Sequence, residues 1–347
     1  MLGTFGIGSA MGEYIKLEHG GGGSLMRKLI EEVIIPAYKN KTVLGGIGLP
    51  GLDDGATIPI GHGNIVFTID AHTVKPLFWP GGDIGKLSVC GTINDVVMMG
   101  ARPIALASAL ILEEGLEFLV LEKVLASMNE TMEEVNIPLV AGDTKIVERG
   151  GVSKLMVTTA GVGITENPIS DAGLKPGDKI IFTGTIGNHQ ISLLVARDEL
   201  KLDSPIESDM APLWGMLQPA LKIGGITSMK DPTRGGVSGV LNEMASKSGV
   251  EVNIYEEKIP IRETVQSASD LLGLDPLELA NEGIAVMGVD TDYADEVLNI
   301  IRSHKYGMDA VIVGEVKEGP NRVILETYLG GRRYVRPPVG SPMPRIC

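Results

Sequence analysis

The chain has 347 residues, 44% of them hydrophobic, a formal net charge of −14 and two cysteines. A chain of this length and apolar content can bury a sizeable core and is expected to form two domains. The acidic balance excludes a broad nucleic-acid or anionic-membrane surface, because neutralising phosphates needs a basic face.

Cys90 and Cys347 provide neither a disulfide framework nor a zinc spacing. No stretch approaches the roughly 18 uninterrupted apolar residues of a membrane span, and no secretory leader opens the chain, so a cytoplasmic, membrane-free setting is expected. Residues 1–10 are small and apolar and precede a second methionine, Met11. They are read as an upstream extension and left out of the fold.

In chain order, His19-Gly20-Gly21-Gly22-Gly23-Ser24 is too glycine-rich for regular structure and is expected to be a mobile loop, followed by a short helix over 28–37. Periodicity then predicts a strand at 64–70, an amphipathic helix at 83–99, a strand at 104–112, a helix at 117–135 and strands at 137–141 and 154–162. These form one α/β unit, expected to cover 45–165 after an N-terminal segment 1–44. Turn formers crowd 167–178, where the domain boundary is placed. Beyond it come a strand at 179–184, helices near 189–199, 211–222 and 237–248, strands near 251–255, 284–289 and 309–315, and a helix over 292–304. The second α/β domain is expected over 170–333. Residues 337–347 hold four prolines and no periodicity, the pattern of an extended, unpacked tail.

Acidic residues punctuate the apolar segments: Asp53-Asp54, Asp70, Asp95, Asp143 and Asp231. Several carboxylates converging on a nucleotide would suit magnesium, a hard cation that takes carboxylate and phosphate oxygens. Each aspartate taken singly is equally a helix cap or a turn residue. The runs Gly20 to Gly23 and Gly235-Gly236 would let backbone amides approach a phosphate. Neither a G-x-x-x-x-G-K-[ST] loop nor a strand-to-helix G-x-G-x-x-G unit is present, so any nucleotide needs a different fold. Cys90 lies in an apolar helix and reads as a small buried hydrophobe. Cys347 is the last residue of the proline-rich arm, whose eleven residues at about 3.1 Å each carry a thiol on the order of 30 Å. A prenylation box needs three residues after its cysteine, and none follow here.

Taken together, Glu18-His19-Gly20, Asp53-Asp54-Gly55-Ala56, Pro80-Gly81-Gly82-Asp83-Ile84-Gly85-Lys86, Asn94-Asp95, Gly142-Asp143-Thr144-Lys145, Asp231-Pro232-Thr233-Arg234-Gly235-Gly236, Ala280-Asn281-Glu282-Gly283 and the ending Pro344-Arg345-Ile346-Cys347 resemble the HypE family of hydrogenase maturation proteins. The resemblance runs from about Ile15 to Cys347. Its middle motifs are shared with aminoimidazole ribonucleotide synthetases, selenophosphate synthetases and thiamine phosphate kinases, and the tail selects among them. Gly187-Asn188-His189-Gln190 departs from the family pattern, so His189 is left out of the site.

The resemblance implies a two-domain aminoimidazole ribonucleotide synthetase-like fold, a homodimer through the N-terminal domains, ATP and Mg2+ as cofactors, and a HypF-like carbamoyltransferase that loads Cys347. It further implies that ATP drives dehydration of the S-carbamoyl group to a thiocyanate, which passes to an iron-carrying HypC–HypD-like scaffold for the nickel-iron site. Carried over residue by residue, Cys347, Lys145 and Glu282 are the catalytic candidates. Asp53, Asp54, Asp70, Asp95 and Asp143 are the metal candidates. Asp54, Asp70, Asp95, Asp143, Asp231, Thr233, Arg234, Gly235, Gly236 and His19 are the nucleotide-binding candidates, although a histidine beside four glycines, as His19 is, is more often merely exposed. Arg234 and Arg345 suit phosphate oxygens or guidance of the tail. Two alternatives stay open: another ATP-dependent synthetase or kinase of the same superfamily, and a non-catalytic cyanide carrier.

Overall fold

The computed structural model describes residues 14–202 and 205–340; residues 1–10, Arg345 and Cys347 lie outside the described residues. The N-terminal helix starts earlier than the glycine run suggests. It comprises α1 (Gly23–Leu29), a π turn (Ile30–Ile34) and α2 (Ile35–Ala37), so Gly23 and Ser24 form its first turn instead of a loop. The widened turn falls just before Pro36, whose ring nitrogen has no amide to give.

Strands β1 (Ala56–Ile60) and β2 (Gly63–His72) form a hairpin whose two-residue turn holds Gly61 at φ +57°, a left-handed conformation such turns demand. A short ribbon, β3 (Phe78–Trp79) and β4 (Gly82–Asp83), leads into α3 (Ile84–Met98), where Asp83 caps the helix by accepting from the amides of Gly85 and Lys86. Then follow β5 (Arg102–Glu113), α4 (Phe118–Val135), β6 (Leu139–Val147) and β7 (Leu155–Thr165), giving a five-stranded sheet in the order β1-β2-β7-β5-β6. Strand β6 does not end at 141 but runs on, so Gly142-Asp143-Thr144-Lys145 lies within an exposed edge strand.

Helices α3 and α4 cover one face of this sheet. Thr68 and His72 of β2, Ser108 of β5 and Thr159 of β7 are buried there, and Thr159 donates to the Ser88 carbonyl of α3 at 2.9 Å. The period of two sends Phe67 and Ile69 to the other face, together with Ala160, Ala107 and Ala141 in register with Ile69. That face is open and apolar; Ile69 is 63% exposed.

The second half comprises β8 (Lys179–Phe182), α5 (Asn188–Ala196), α6 (Trp214–Ile223), β9 (Ile226–Lys230), α7 (Gly236–Ser248), β10 (Glu251–Tyr255), α8 (Glu263–Leu272), β11 (Val286–Val289), α9 (Ala294–Arg302), β12 (Val311–Lys317), β13 (Arg322–Glu326) and β14 (Arg332–Val335). Its seven-stranded sheet runs β14-β13-β10-β12-β8-β11-β9. Strands β1, β9, β13 and β14 and helix α8 were not anticipated. The strands are short and carry little periodic signal, whereas α8 buries Val265, Ala268 and Ser269 at helical spacing, a signal that was present in the sequence and overlooked.

Helix α3, expected to be amphipathic, is buried on all sides: thirteen of its fifteen residues are buried. It packs on the first sheet and α4, and also on α6 and β9 of the second half. One apolar cluster therefore runs from Ile84, Leu87 and Ile93 of α3 to Met216 and Leu217 of α6 and Val297 and Ile301 of α9. A second core lies under α7, where Val237, Leu241 and Met244 meet Val252, Val313 and Val323. The shared cluster fixes the two halves against each other, and the cleft between them inherits that rigidity. No helix among the described residues is long and apolar enough to cross a membrane.

Candidate active site

Three elements end at one point. Helix α3 carries Asp95 on the same side as Thr92, the loop before β1 carries Asp54, and the chain leaving β9 carries Asp231. One carboxylate oxygen from each of Asp54, Asp95 and Asp231 lies within 4.8 Å of the others. The side-chain hydroxyl of Thr68 donates to Asp95 at 2.9 Å, and that of Thr92 donates to Asp70 at 3.2 Å. Asp54 Oδ2 is buried without a hydrogen-bond partner. Burial raises all three carboxyls above their ordinary range, Asp54 to about 6 against the opposing pull of Lys230, and neighbouring carboxylates add to the rise: Asp171 and Glu243 for Asp54, Asp70, Asp231 and Asp54 for Asp95, Asp54 and Asp70 for Asp231. Hard oxygens gathered so closely, one of them idle, fit a divalent cation.

The cluster opens into a cleft of ≈ 650 Å³ lined by both halves of the chain, a size suited to a nucleotide. Two lysines missed by the sequence reading hold its walls. Lys230 Nζ, at the end of β9, donates to Asp54 Oδ1 at 2.5 Å and to Asp171 at 3.2 Å. Lys247 on α7 donates to both oxygens of Asp171, at 2.9 and 2.7 Å, and to the carbonyl of Leu52 at 2.7 Å. Leu52 stands at φ +53°, a left-handed conformation costing a non-glycine residue roughly 1–2 kcal/mol. The lysine on its carbonyl helps keep the Asp53-Asp54 turn in that shape. Only the adjacency of Lys230 to the Asp231 motif hinted at either lysine.

Behind the carboxylates lies a pocket of ≈ 50 Å³ lined by Asp70, His72, Gly91, Thr233, Arg234 and Glu282, among others. The side chain of Glu282 is buried and its Oε1 has no hydrogen-bond partner. Burial, then the charges of Asp231 and Asp209, push its carboxyl well up; Arg234 pulls the other way. His72 is buried and pushed down to about 4 by desolvation, so its imidazole is neutral at pH 7, and its Nδ1 is likewise unpartnered. A small polar group entering here would meet a protonatable carboxyl, a neutral imidazole and a guanidinium.

The remaining sequence candidates lie outside the three-carboxylate cluster. Asp53 lines the cleft, its Oδ1 accepting from Ser170 Oγ at 2.8 Å and the Asp171 amide at 2.9 Å. Asp143 and Lys145 share the open face of the first sheet with Ala141, whereas Asp70 points to the helix face. The row Asp70, Thr159, Ser108, Gly142 also separates them by three strand spacings, roughly 14 Å. His19 is buried instead of exposed, does not line the cleft, and its Nδ1 accepts from the Lys16 amide at 3.0 Å.

Gly235 and Gly236 line neither cavity. A Cβ on Gly236 would lie 2.6 Å from the carbonyl oxygens of Leu277 and Leu279, so this glycine permits backbone packing. Cys90 is buried, as its flanks predict, and its thiol is pushed up by desolvation.

The chain after β14 is anchored, contrary to the expectation of an unpacked tail from 337. Ser238 Oγ donates to the Arg336 carbonyl at 2.8 Å, and the amides of Ser24 and Leu25 donate to the carbonyls of Pro338 and Val339 at 3.0 and 3.2 Å. A Cβ on Gly23 would sit 2.3 Å from the Pro338 oxygen, so this glycine is required by the tail's close approach. Gly22, Gly23, Met26, Arg27 and Ile30 of the same segment roof the cleft.

The family described as AIR synthase related protein matches in two parts, its N-terminal domain at residues 52–165 and its C-terminal domain at 175–326. The chain is 41% identical to the carbamoyl dehydratase HypE of Rhizobium leguminosarum bv. viciae, over 96% of this chain and 95% of that one. The chain belongs to the HypE family. Its fold superposes on a HypE–HypF complex with a TM-score of 0.84 and 45% identity, covering 89% of this chain and 99% of the HypE-like one. A hydrogenase maturation protein HypE in complex with ATP gives a TM-score of 0.79 and 36% identity, covering 96% and 100%.

Proposed function

We propose that this chain is an ATP-dependent carbamoyl dehydratase of nickel-iron hydrogenase maturation, acting on an S-carbamoyl group carried by its own Cys347. The observation that carries this is the anchoring of the tail root on the first turn of the helix that roofs the cleft. Gly340 lies against Glu18 and Leu25, next to the segment that roofs the cleft, and seven further residues span at most roughly 25 Å. The named relatives, one bound to ATP and one to HypF, support ATP as cosubstrate and a HypF-like carbamoyltransferase as partner.

The chemistry follows from the groups present. The carbamoyl oxygen is a poor leaving group. Attack of that oxygen on the γ-phosphorus of ATP expels ADP, and cleavage of the carbon–oxygen bond then releases phosphate as nitrogen gives up its two protons and C≡N forms. Glu282, lining the inner pocket, would accept a proton from that nitrogen. Thr233 and Arg234 would hold phosphate oxygens, with Asp70 at the junction of cleft and pocket. Asp54, Asp95 and Asp231 would hold Mg2+, which when bound neutralises charge on the transferring phosphoryl group.

The open apolar face of the first sheet supports a homodimer. Covering that face with a second copy would also offer Asp143 and Lys145 a route to a nucleotide, across the interface. The thiocyanate would pass to an iron-carrying HypC–HypD-like scaffold, in the cytoplasm. The division at 45–165 and 170–333 is proposed to separate an ATP-binding, dimer-forming half from a half that supplies Glu282 and the tail.

Mass spectrometry tests the proposal. The S-carbamoylated chain given only ATP and Mg2+ should lose the mass of one water at Cys347, and Cys347→Ala should abolish product while retaining nucleotide. Persistence of the carbamoyl mass in folded, nucleotide-bound protein would instead indicate a carrier. Turnover of a soluble small substrate after removal of 337–347 would indicate another synthetase or kinase.

A further inference from the structure

Glu282 Oε1 is buried without a hydrogen-bond partner, and the backbone that carries this side chain is pinned by its neighbours. That backbone is held from three directions. Asn281 is fixed to the neighbouring motif, its amide and its Nδ2 both donating to the Pro232 carbonyl at 3.1 Å, while its Oδ1 accepts from the Gly187 amide at 2.6 Å. Asn94, the residue before the metal candidate Asp95, donates from Nδ2 to the Glu282 carbonyl at 3.4 Å and to the Ala211 carbonyl at 3.0 Å. The third hold is a carboxylate: Asp209 Oδ2 accepts from the amides of Glu282, at 3.2 Å, and Gly283, at 3.1 Å.

Asp209 belongs to the irregular segment 205–213, which docks on the first half through the Ser208 amide and the Pro80 carbonyl at 2.9 Å, and through the Leu213 amide and Asn94 Oδ1 at 2.8 Å. A Cβ on Gly283 would lie 1.8 Å from the Asp209 carbonyl oxygen, so the turn sits directly against this segment. Asp209 Oδ1 is buried with no hydrogen-bond partner. An apolar residue could fill the space without that desolvation cost, of order 1–3 kcal/mol; what the carboxylate adds at the turn is one oxygen, Oδ2, that accepts from both amides.

We propose that Asp209 is a positioning residue for the dehydration step: its carboxylate sets where the Glu282 side chain stands relative to the carboxylate cluster on α3. The proposal rests on Glu282 acting in proton transfer, as proposed above. A misplacement of 1 Å in such a group costs about 100-fold in rate, and a lengthened side chain at 209 would push the turn by about that much.

Asp209→Glu keeps charge and acceptor but adds a methylene; Asp209→Asn keeps length and acceptor but removes the charge. Single-turnover dehydration of the S-carbamoylated full chain, followed by mass at saturating ATP and Mg2+, should fall about 100-fold in the glutamate variant and stay within about 10-fold of the parent in the asparagine variant. Half-saturation by ATP should change in neither. A glutamate variant at the parent rate, or a rate loss matched by an equal loss of ATP affinity, overturns the proposal. Should the glutamate variant not fold, a loss beyond about 10-fold in folded Asp209→Asn overturns it too, because charge and not position would then be what Asp209 supplies. Glu282→Gln is measured alongside. Parent-rate dehydration there removes the premise without reference to Asp209, whereas an inactive Glu282→Gln beside an unaffected Asp209→Glu refutes the positioning role alone.

Discussion

Lys230 reaches from the end of β9 across the cleft to Asp54, with its ammonium 2.5 Å from Oδ1 and held also by Asp171 and, at 3.8 Å, by Glu243. The second half of the chain thereby supplies the positive charge that lets the first half keep Asp54 beside Asp95 and Asp231 without a metal. Burial alone would lower the lysine's affinity for its proton, but Asp54, Asp171 and Glu243 outweigh it and hold Lys230 well above its usual range.

Removing that charge while keeping its bulk should expose the dependence. Lys230→Met is expected to destabilise the metal-free protein by about 3–5 kcal/mol, as loss of one partner of a buried pair does. Mg2+ should then restore more stability to the variant than it adds to the parent. Thermal unfolding in chelator and in Mg2+ measures both, and identical metal responses would show that Lys230 does not compensate the cluster.

The raised carboxyls make a pH prediction. A carboxyl whose folded pKa is raised contributes stability that is complete below its unfolded pKa and is lost as pH rises through the folded value. For Asp54 that window runs from 3.8 to about 6, and for Asp95 and Asp231 it likewise opens upward from 3.8. Asp95→Asn should therefore raise the melting temperature of the metal-free protein at about pH 8, raise it less at about pH 5, and blunt stabilisation by Mg2+. Equal effects at both pH values would contradict the assignment.

Gly23→Ala tests the link between tail and roof. The added Cβ meets the Pro338 oxygen at 2.3 Å, at a residue standing at φ +71°. The two hydrogen bonds that the Ser24 and Leu25 amides donate to the tail root, about 1 kcal/mol each, should be lost, with faster hydrogen exchange at both amides. Dehydration should slow more than ATP binding weakens. Unchanged exchange at both amides would refute the tether.

The open sheet face predicts an oligomer. Ala107→Glu, at the centre of that face and in register with Ala160 and Ala141, should convert a dimer to monomers in sedimentation. If Lys145 acts across the interface, mixing inactive Lys145→Ala with inactive Glu282→Gln should recover part of the activity. A parent chain that sediments as a monomer, or a mixture with no recovery, would remove that route.

Much of the fold was legible because strong local patterns survive in the tertiary structure. Strand β2, helix α4 and helix α7 lie close to where periodicity puts them. The patterns failed where local sequence is ambiguous: the glycine run at 20–23 looks irregular, yet its last glycine opens a helix because a carbonyl from residue 338 needs the room. Helix α3 was expected to be one-sided, but its residues are apolar all round, the pattern of a helix packed on every side, and what a local window does not show is which elements cover it.

The chain's own order of residues determined its family, its α/β class and which carboxylates were worth watching, since motif composition and apolar spacing are written along the chain. Tertiary structure alone decided which of those carboxylates meet. Asp54, Asp95 and Asp231 converge from three separate elements, Asp53 turns to Ser170, and a single alternation of the pleat puts Asp143 on the face opposite Asp70. Lys230, Lys247 and Asp209 became visible only there, because distance through space is set by packing and bears no fixed relation to distance along the sequence.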